Sequence, residues 1–162
     1  MRRRLIQKLA RSFGIKLGHC ARVDGRAYSY NGEVLDIRAR YDGYMGKRPD
    51  SDCMHDIAHH LCASADRHHL PEWGLGDGVD WRSRGCPVVV PDPLREESMA
   101  SLLGILMERR AGWEWRETFR LHNWKERTLT DIVALRRELG TWVVRNGHSL
   151  EAILGVVEAK AK

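Results

Sequence analysis

The sequence predicts a mainly α-helical, single-domain protein that carries one small β-hairpin. Its length of 162 residues is typical of one compact domain, so residues 1–162 are predicted to form a single domain. Apolar residues recur every three or four positions along several segments, which is the spacing of one helix face. With 43% apolar and 30% charged residues, the chain has enough apolar side chain for a core, and a disordered chain is not expected.

Capping and breaking residues place the helices. The first helix ends at Gly14, and Pro71 lies beyond the end of the second. Asp92 and Pro93 form a favourable N-cap and first-turn pair for the third. Helices are predicted over residues 3–13, 51–66, 93–112, 114–122, 130–146 and 149–162.

A β-hairpin is predicted between the first two helices. The segment Tyr28-Ser29-Tyr30 and residues 33–37 are β-prone, and Asn31-Gly32 separates them. An Asn-Gly pair readily adopts the positive φ angles that a tight hairpin turn needs.

Positive charge is concentrated near the N-terminus. The net charge is +5, and residues 1–50 contain 12 Lys or Arg against 5 Asp or Glu. Within residues 1–20, apolar side chains recur from Leu5 to Phe13, which predicts a basic amphipathic helix with a solvated outer face. A nucleic-acid-binding or protein-binding module built on this helix is the alternative, although no aromatic platform or known motif accompanies it.

The chain is predicted to be cytoplasmic, with no membrane partner. No stretch approaches the roughly 18 apolar residues of a membrane-spanning helix. Gln7, Lys8 and Arg11 interrupt the apolar region that a signal peptide would require. The four cysteines form no CxxC pair, which favours reduced thiols over a disulfide framework.

The segment from Asp52 to Cys62 contains the strongest chemical signal. His55 and His59 are four residues apart, so on a helix they project side by side and can bind one metal ion. An apolar stripe on the opposite face of the same helix is expected to pack into the core. His60, next to the pair, is expected to face solvent.

Asp56 is the candidate catalytic residue. It directly follows the first histidine, at the position that glutamate occupies in an HExxH zinc motif. The carboxylate at that position activates metal-bound water as a general base. Aspartate is one methylene shorter than glutamate, which affects the reach of the base and leaves the two histidines unchanged.

A third metal ligand is expected from another helix, because a catalytic zinc usually has three protein ligands. The candidates are Glu96 and Glu97, in the first turn of the helix predicted over residues 93–112. That helix and the histidine helix must pack together if both belong to the core. Glu97 is preferred, because Ser101 lies four residues further on and can support its carboxylate.

Two imidazoles and one carboxylate suit zinc, and with open coordination positions they also suit ferrous iron. With zinc, the predicted reaction is hydrolysis of an amide or ester bond, as in a metallopeptidase, and a protein or peptide is one substrate class that fits. With iron, the same ligands indicate an oxygen-dependent hydroxylation.

Three segments together resemble small phage and prophage-type proteins, which carry HExxH, a proline-aromatic-glycine loop and an acidic helix. These segments are HDIAHH at residues 55–60, LPEWGLG at residues 70–76 and REESMASLLGIL at residues 95–106. More distantly, the chain resembles the elongation factor P hydroxylase family, which has a similar HExxH helix and a downstream aromatic-glycine segment.

The resemblance covers about residues 50–125, which defines the expected metal-site core. It implies that His55 and His59 bind metal together with Glu97 or Glu96. It also implies that Asp56 stands where these families have their acid.

An HD-domain phosphohydrolase is the main alternative enzyme class. His55-Asp56 looks like the central dyad of that class, in which the aspartate itself binds metal and a phosphate ester is the substrate. Such a site also needs an upstream histidine and a downstream aspartate. His19 and Asp131 are the candidates, although His19 lies in a predicted non-helical stretch.

Overall fold

The computed structural model describes residues 2–20, 29–37, 50–75, 88–116 and 129–162, and the prediction of a mainly helical fold is confirmed. These parts of the chain contain five α-helices: α1 (Arg2–Ser12), α2 (Asp50–Cys62), α3 (Pro93–Arg110), α4 (Leu129–Arg145) and α5 (Leu150–Ala161). The helix predicted over residues 114–122 falls largely outside the described residues.

Helix α2 lies in the core and packs most extensively against α3. Its apolar stripe, formed by Met54, Ile57, Ala58 and Leu61, is fully buried. Each large apolar side chain buried in this way contributes about 1.5–3 kcal/mol relative to exposure. Helix α1 packs against α2 and α5, and α3 also contacts α4 and α5. This packing fixes the positions of α2 and α3 relative to each other.

Helix α1 is amphipathic, as predicted, and belongs to the core. Its apolar face, which includes Ile6 and Leu9, is buried, whereas Arg4, Lys8 and Arg11 are exposed. Arg3 donates to the carbonyl of Ile37 and so ties the helix to the chain that follows the strands.

The sequence predicted the start of helix α3 correctly and placed the end of helix α2 too far along the chain. Helix α3 begins where it was predicted, because the Asp92 carboxylate accepts a hydrogen bond from the Arg95 N–H at 3.0 Å. Helix α2 ends at Cys62, four residues before the prediction. Trp142 of α4 and Asn146, the residue after this helix, donate to the Cys62 carbonyl at 2.9 and 2.6 Å, and this satisfies a carbonyl at the end of α2.

The small sheet differs from the predicted hairpin. Strand β1 (Lys16–Leu17) pairs in parallel with strand β2 (Val34–Leu35). The Asn31-Gly32 turn is present, and its described arms are joined by the isolated antiparallel bridge between Tyr30 and Leu35 and by the hydrogen bond from the Asp36 N–H to the Ser29 carbonyl at 2.8 Å. A Cβ atom on Gly32 would lie 2.2 Å from the His69 carbonyl oxygen, so the turn packs against the chain that follows α2. Pairing of β2 with β1 takes the place of longer hairpin pairing.

Among the described helices, none combines the length and the apolar character that crossing a bilayer would require. Cys20, Cys53 and Cys62 are buried thiols that form no disulfide.

Candidate metal centre

A glycine in α3 lets the two central helices approach closely. A Cβ atom on Gly104 would lie 3.3 Å from the Cα atom of His55, which is closer than Cβ atoms usually approach other atoms in proteins. Glu97, Ser101 and Gly104 are spaced by four and three residues, so they share one face of α3. The approach at Gly104 therefore turns Glu97 and Ser101 towards the histidines of α2.

His55, His59 and Glu97 converge at this helix interface. His55 Nε2 lies 3.1 Å from Glu97 Oε1, and His59 Nε2 lies 3.1 Å from Glu97 Oε2. One ligand atom from each residue lies within 4.8 Å of the other two. The side chain of Glu97 is 40% exposed, compared with 16% for His55 and 7% for His59. The cluster therefore opens to solvent on the Glu97 side.

The spacing of these donors fits a transition-metal ion. Zinc binds imidazole nitrogen and carboxylate oxygen at about 2.0–2.2 Å, so two donors in a tetrahedral shell lie about 3.3–3.6 Å apart. The observed nitrogen-to-oxygen distances of 3.1 Å are close to that separation. The group can therefore hold a metal ion after small side-chain movements, and its donor types suit either zinc or iron.

Glu97 and His59 form a strong ion pair. Burial opposes protonation of His59, but the adjacent Glu97 carboxylate outweighs burial and raises the pKa of His59. Burial acts to raise the pKa of Glu97 too, yet His59 and His55 hold that pKa well below its ordinary range. Because metal-binding imidazole is neutral, a metal ion that enters the cluster competes with protonation of His59.

Ser101 lies between two of the three candidate ligands. Its Oγ atom is 3.2 Å from His55 Nε2 and 3.5 Å from Glu97 Oε1. Ser101 is therefore placed to orient both side chains.

Glu96, the other carboxylate considered for the third ligand, lies elsewhere. It is 1% exposed, and both of its oxygens lie 2.7 Å from Nη2 of Arg67. Arg67 also donates from Nη1 to the carbonyl of Trp73 at 2.8 Å. The structure thus brings Glu97 to the two histidines and pairs Glu96 with Arg67.

Asp56 lies on the buried side of the cluster. It is 5% exposed, and its charge helps to raise the pKa of His59. It also acts on Glu72, whose pKa is raised first by burial and then by the Asp56 charge. The charge of Asp56 therefore acts both on one candidate ligand and on Glu72, a second carboxyl group that sequence reasoning did not identify.

Two further residues next to the site were not assigned to it from the sequence. The Trp73 ring stacks on the His59 ring, with centroids 5.4 Å apart and planes at 14°. Its Nε1–H group donates to His60 Nδ1 at 3.3 Å. The expectation that His60 faces solvent is wrong, because the His68 ring stacks on it with centroids 3.8 Å apart and it is only 8% exposed. Burial lowers the pKa of His60 to about 3, so His60 is a neutral acceptor.

The histidine expected for an HD-domain site is not part of the cluster. His19 Nδ1 lies 2.7 Å from Asp36 Oδ2, and the His19 side chain is 86% exposed. Asp131 belongs to α4, and its side chain lies outside the described part of the structure. The geometry therefore favours the His55–His59–Glu97 group over the HD arrangement.

Comparisons of the chain with protein families, curated proteins and solved structures find no match. The functional inference therefore depends on the site itself.

Replacing Gly104 with valine is expected to weaken zinc binding by about 10-fold or more without removing a ligand. The new side chain must push α3 away from the His55 backbone and so displace Glu97. The affinity can be measured by competition with a chelating dye. Gly155→Val in α5 is the matched control, since a Cβ atom there has no neighbour within 4 Å. Equal affinities in the two variants would contradict the role assigned to Gly104.

Proposed function

We propose that the protein is a metal-dependent hydrolase of amide or ester bonds, in which His55, His59 and Glu97 hold one zinc ion and Asp56 is the general base. The observation that carries this proposal is the convergence of both histidine Nε2 atoms on the two oxygens of one carboxylate, each at 3.1 Å. Three protein ligands of these types are typical of catalytic zinc sites, which keep a further position for water or substrate.

Zinc bound in such a site would acidify water and polarise a carbonyl group. The chain's own residues account for the remaining roles. Asp56 accepts the proton of the attacking water and passes it to the leaving group. Ser101 holds His55 and Glu97 in orientation through its contacts of 3.2 and 3.5 Å. The exposed side of Glu97 gives a substrate such as a peptide an open approach.

Asp56 is the reason for preferring hydrolysis to oxygen-dependent hydroxylation. It is a carboxylate next to His59 that stands outside the group of candidate ligands. A hydrolase needs such a base, whereas two histidines, one carboxylate and open positions already suffice for a ferrous oxygenase. Iron-dependent hydroxylation is therefore the alternative that the experiment must distinguish from zinc-dependent hydrolysis.

The proposal can be tested on protein purified without a histidine tag or chelator. Metal analysis should find one equivalent of zinc. The zinc-loaded protein should cleave members of a peptide mixture, followed by mass spectrometry, or chromogenic esters. Asp56→Asn should retain zinc and lose about 100-fold or more of the turnover, and Asp66→Asn, at an exposed position near the same helix, should lose none.

Each alternative gives a different result. Unaltered turnover in Asp56→Asn would remove Asp56 from the mechanism. Bound iron with oxygen consumption and no hydrolysis would replace the zinc reaction by hydroxylation. Protein that binds neither metal, with a free energy of unfolding unaffected by His55→Ala and His59→Ala, would exclude the metal site altogether.

A further inference from the structure

We propose that the stacked rings of Tyr30 and Trp73 are the positioning element for His59, and that they hold its imidazole in the orientation for metal binding in place of the usual hydrogen bond. This inference rests on the proposed metal site and adds residues to it that touch no metal and no substrate.

Within the described part of the chain, no side chain or carbonyl pairs with the second ring nitrogen of His59. Histidines that bind metal almost always donate their other N–H group to a carboxylate, a carbonyl or water, which fixes the orientation of the ring. His59 Nδ1 is buried and has no hydrogen-bond partner among the described residues. Another contact must therefore fix the plane of the ring.

Trp73 provides that contact. Its ring is nearly parallel to His59, at 14° and 5.4 Å, and nearly parallel to Tyr30, at 2° and 4.5 Å between centroids. Trp73 is 1% exposed, so its ring has little freedom to move away. A flat neighbour on the face of the imidazole restricts rotation about the side-chain bonds of His59 while leaving Nε2 directed at Glu97.

The backbone around Trp73 adopts an unfavourable conformation to place the ring. Glu72 and Trp73 have φ angles of +46° and +54°, in the left-handed region that residues with a side chain rarely adopt. Glycine at either position would relieve the backbone and remove the side chain. Both positions carry a side chain where the backbone favours glycine, so the contacts of these side chains must offset the conformational cost.

Hydrogen bonds fasten the turn at both of these residues. The Glu72 carboxylate accepts from the backbone N–H groups of Ser29 and Tyr30, at 2.8 and 3.1 Å. Arg67 donates to the Trp73 carbonyl at 2.8 Å, and the indole donates to His60 at 3.3 Å. The first pair also joins the turn to the chain that carries Tyr30, so both stacked rings belong to one hydrogen-bonded unit.

If Trp73 only filled space in the core, a different result would be expected. Any large apolar side chain could then substitute, with a change in stability and no change in the geometry of the metal ion. A positioning role requires an aromatic ring at residue 73 and predicts that metal affinity and coordination change when the ring is lost.

Cobalt(II) is the probe for the test, because its d–d absorption reports coordination geometry independently of turnover. Trp73→Phe should bind cobalt nearly as the wild-type protein does, since the ring remains. Trp73→Leu should bind cobalt about 10-fold or more weakly and shift the d–d band. Trp113→Leu is the matched control: it removes a tryptophan that lies beyond the end of α3, under the Arg2 guanidinium at 5.1 Å, and should change neither cobalt affinity nor the band.

Wild-type affinity and an unchanged band in Trp73→Leu would overturn the positioning role and leave the metal site intact. If wild-type protein binds no cobalt, the proposed function fails and this inference fails with it. Circular dichroism shows whether each variant folds. If Trp73→Leu does not fold, Tyr30→Leu, which removes the second ring of the stack, is measured in the same way. An unchanged band and affinity in that variant would also overturn the proposal.

Discussion

Replacing Glu97 with glutamine is expected to lower the affinity for zinc by about 100-fold or more while the fold is retained. Disturbing the outer partners of metal ligands already costs about 10–100-fold, and Glu97 is itself a proposed ligand. Glutamine keeps the shape of the side chain but removes the negative charge that faces both Nε2 atoms at 3.1 Å. The affinity would be measured by competition with a chelating dye at fixed pH.

Glu96→Gln is the matched comparison, because it makes the same chemical change one position earlier in α3. It is expected to reduce zinc affinity much less than Glu97→Gln does, since Glu96 contacts Arg67 rather than the histidines. Any loss in Glu96→Gln should act through Arg67 and its contact with Trp73. Equal losses in the two variants would mean that the helix, and not one carboxylate, controls binding.

The two variants should rank the other way round in stability: Glu96→Gln is expected to destabilise the fold more than Glu97→Gln does. Glu96→Gln is expected to lower the free energy of unfolding by about 3–5 kcal/mol, because it leaves a buried guanidinium without its carboxylate. The Arg67 side chain is 13% exposed and that of Glu96 is 2% exposed, so water cannot readily replace the lost partner. Urea unfolding of metal-free protein measures the loss, with Glu97→Gln as the comparison.

A double variant separates loss of the ion pair from loss of packing. Replacing Arg67 and Glu96 together with methionine removes both charges and is expected to recover part of the stability, as apolar replacements of buried ion pairs often do. If the Glu96→Gln variant is as stable as the wild-type protein, the Arg67–Glu96 pair contributes nothing net to folding.

The parts of the structure that the sequence predicted correctly depend on local patterns. The start of α3 follows from the Asp92 cap, and the side-by-side arrangement of His55 and His59 follows from their spacing on one helix. The preference for Glu97 over Glu96 depended on Ser101, which marks the face of α3 that contacts α2. Adjacent helical residues point about 100° apart, so one correctly placed neighbour was enough to separate them.

The parts that could not be predicted depend on contacts between distant segments. Strand β2 could pair within its own hairpin or with β1, and nothing in residues 28–37 indicates the second choice. Trp73 belongs to the LPEWGLG segment noted in the sequence, and the structure buries it. Its stacking on His59 requires left-handed backbone at Glu72 and Trp73, and helix periodicity carries no information about such a turn.

The turn at residues 72–74 has a consequence for which sequences this fold can tolerate. Non-glycine residues in the left-handed region cost about 1–2 kcal/mol each, so the backbone at positions 72 and 73 favours glycine. The contacts there require a carboxylate and an indole instead. At Gly74, where φ is +73°, both the left-handed backbone and a distance of 2.6 Å from an added Cβ atom to Val89 Cγ2 favour glycine. Three consecutive residues are therefore nearly fixed for three different reasons, and this short loop has less mutational freedom than the helices around it.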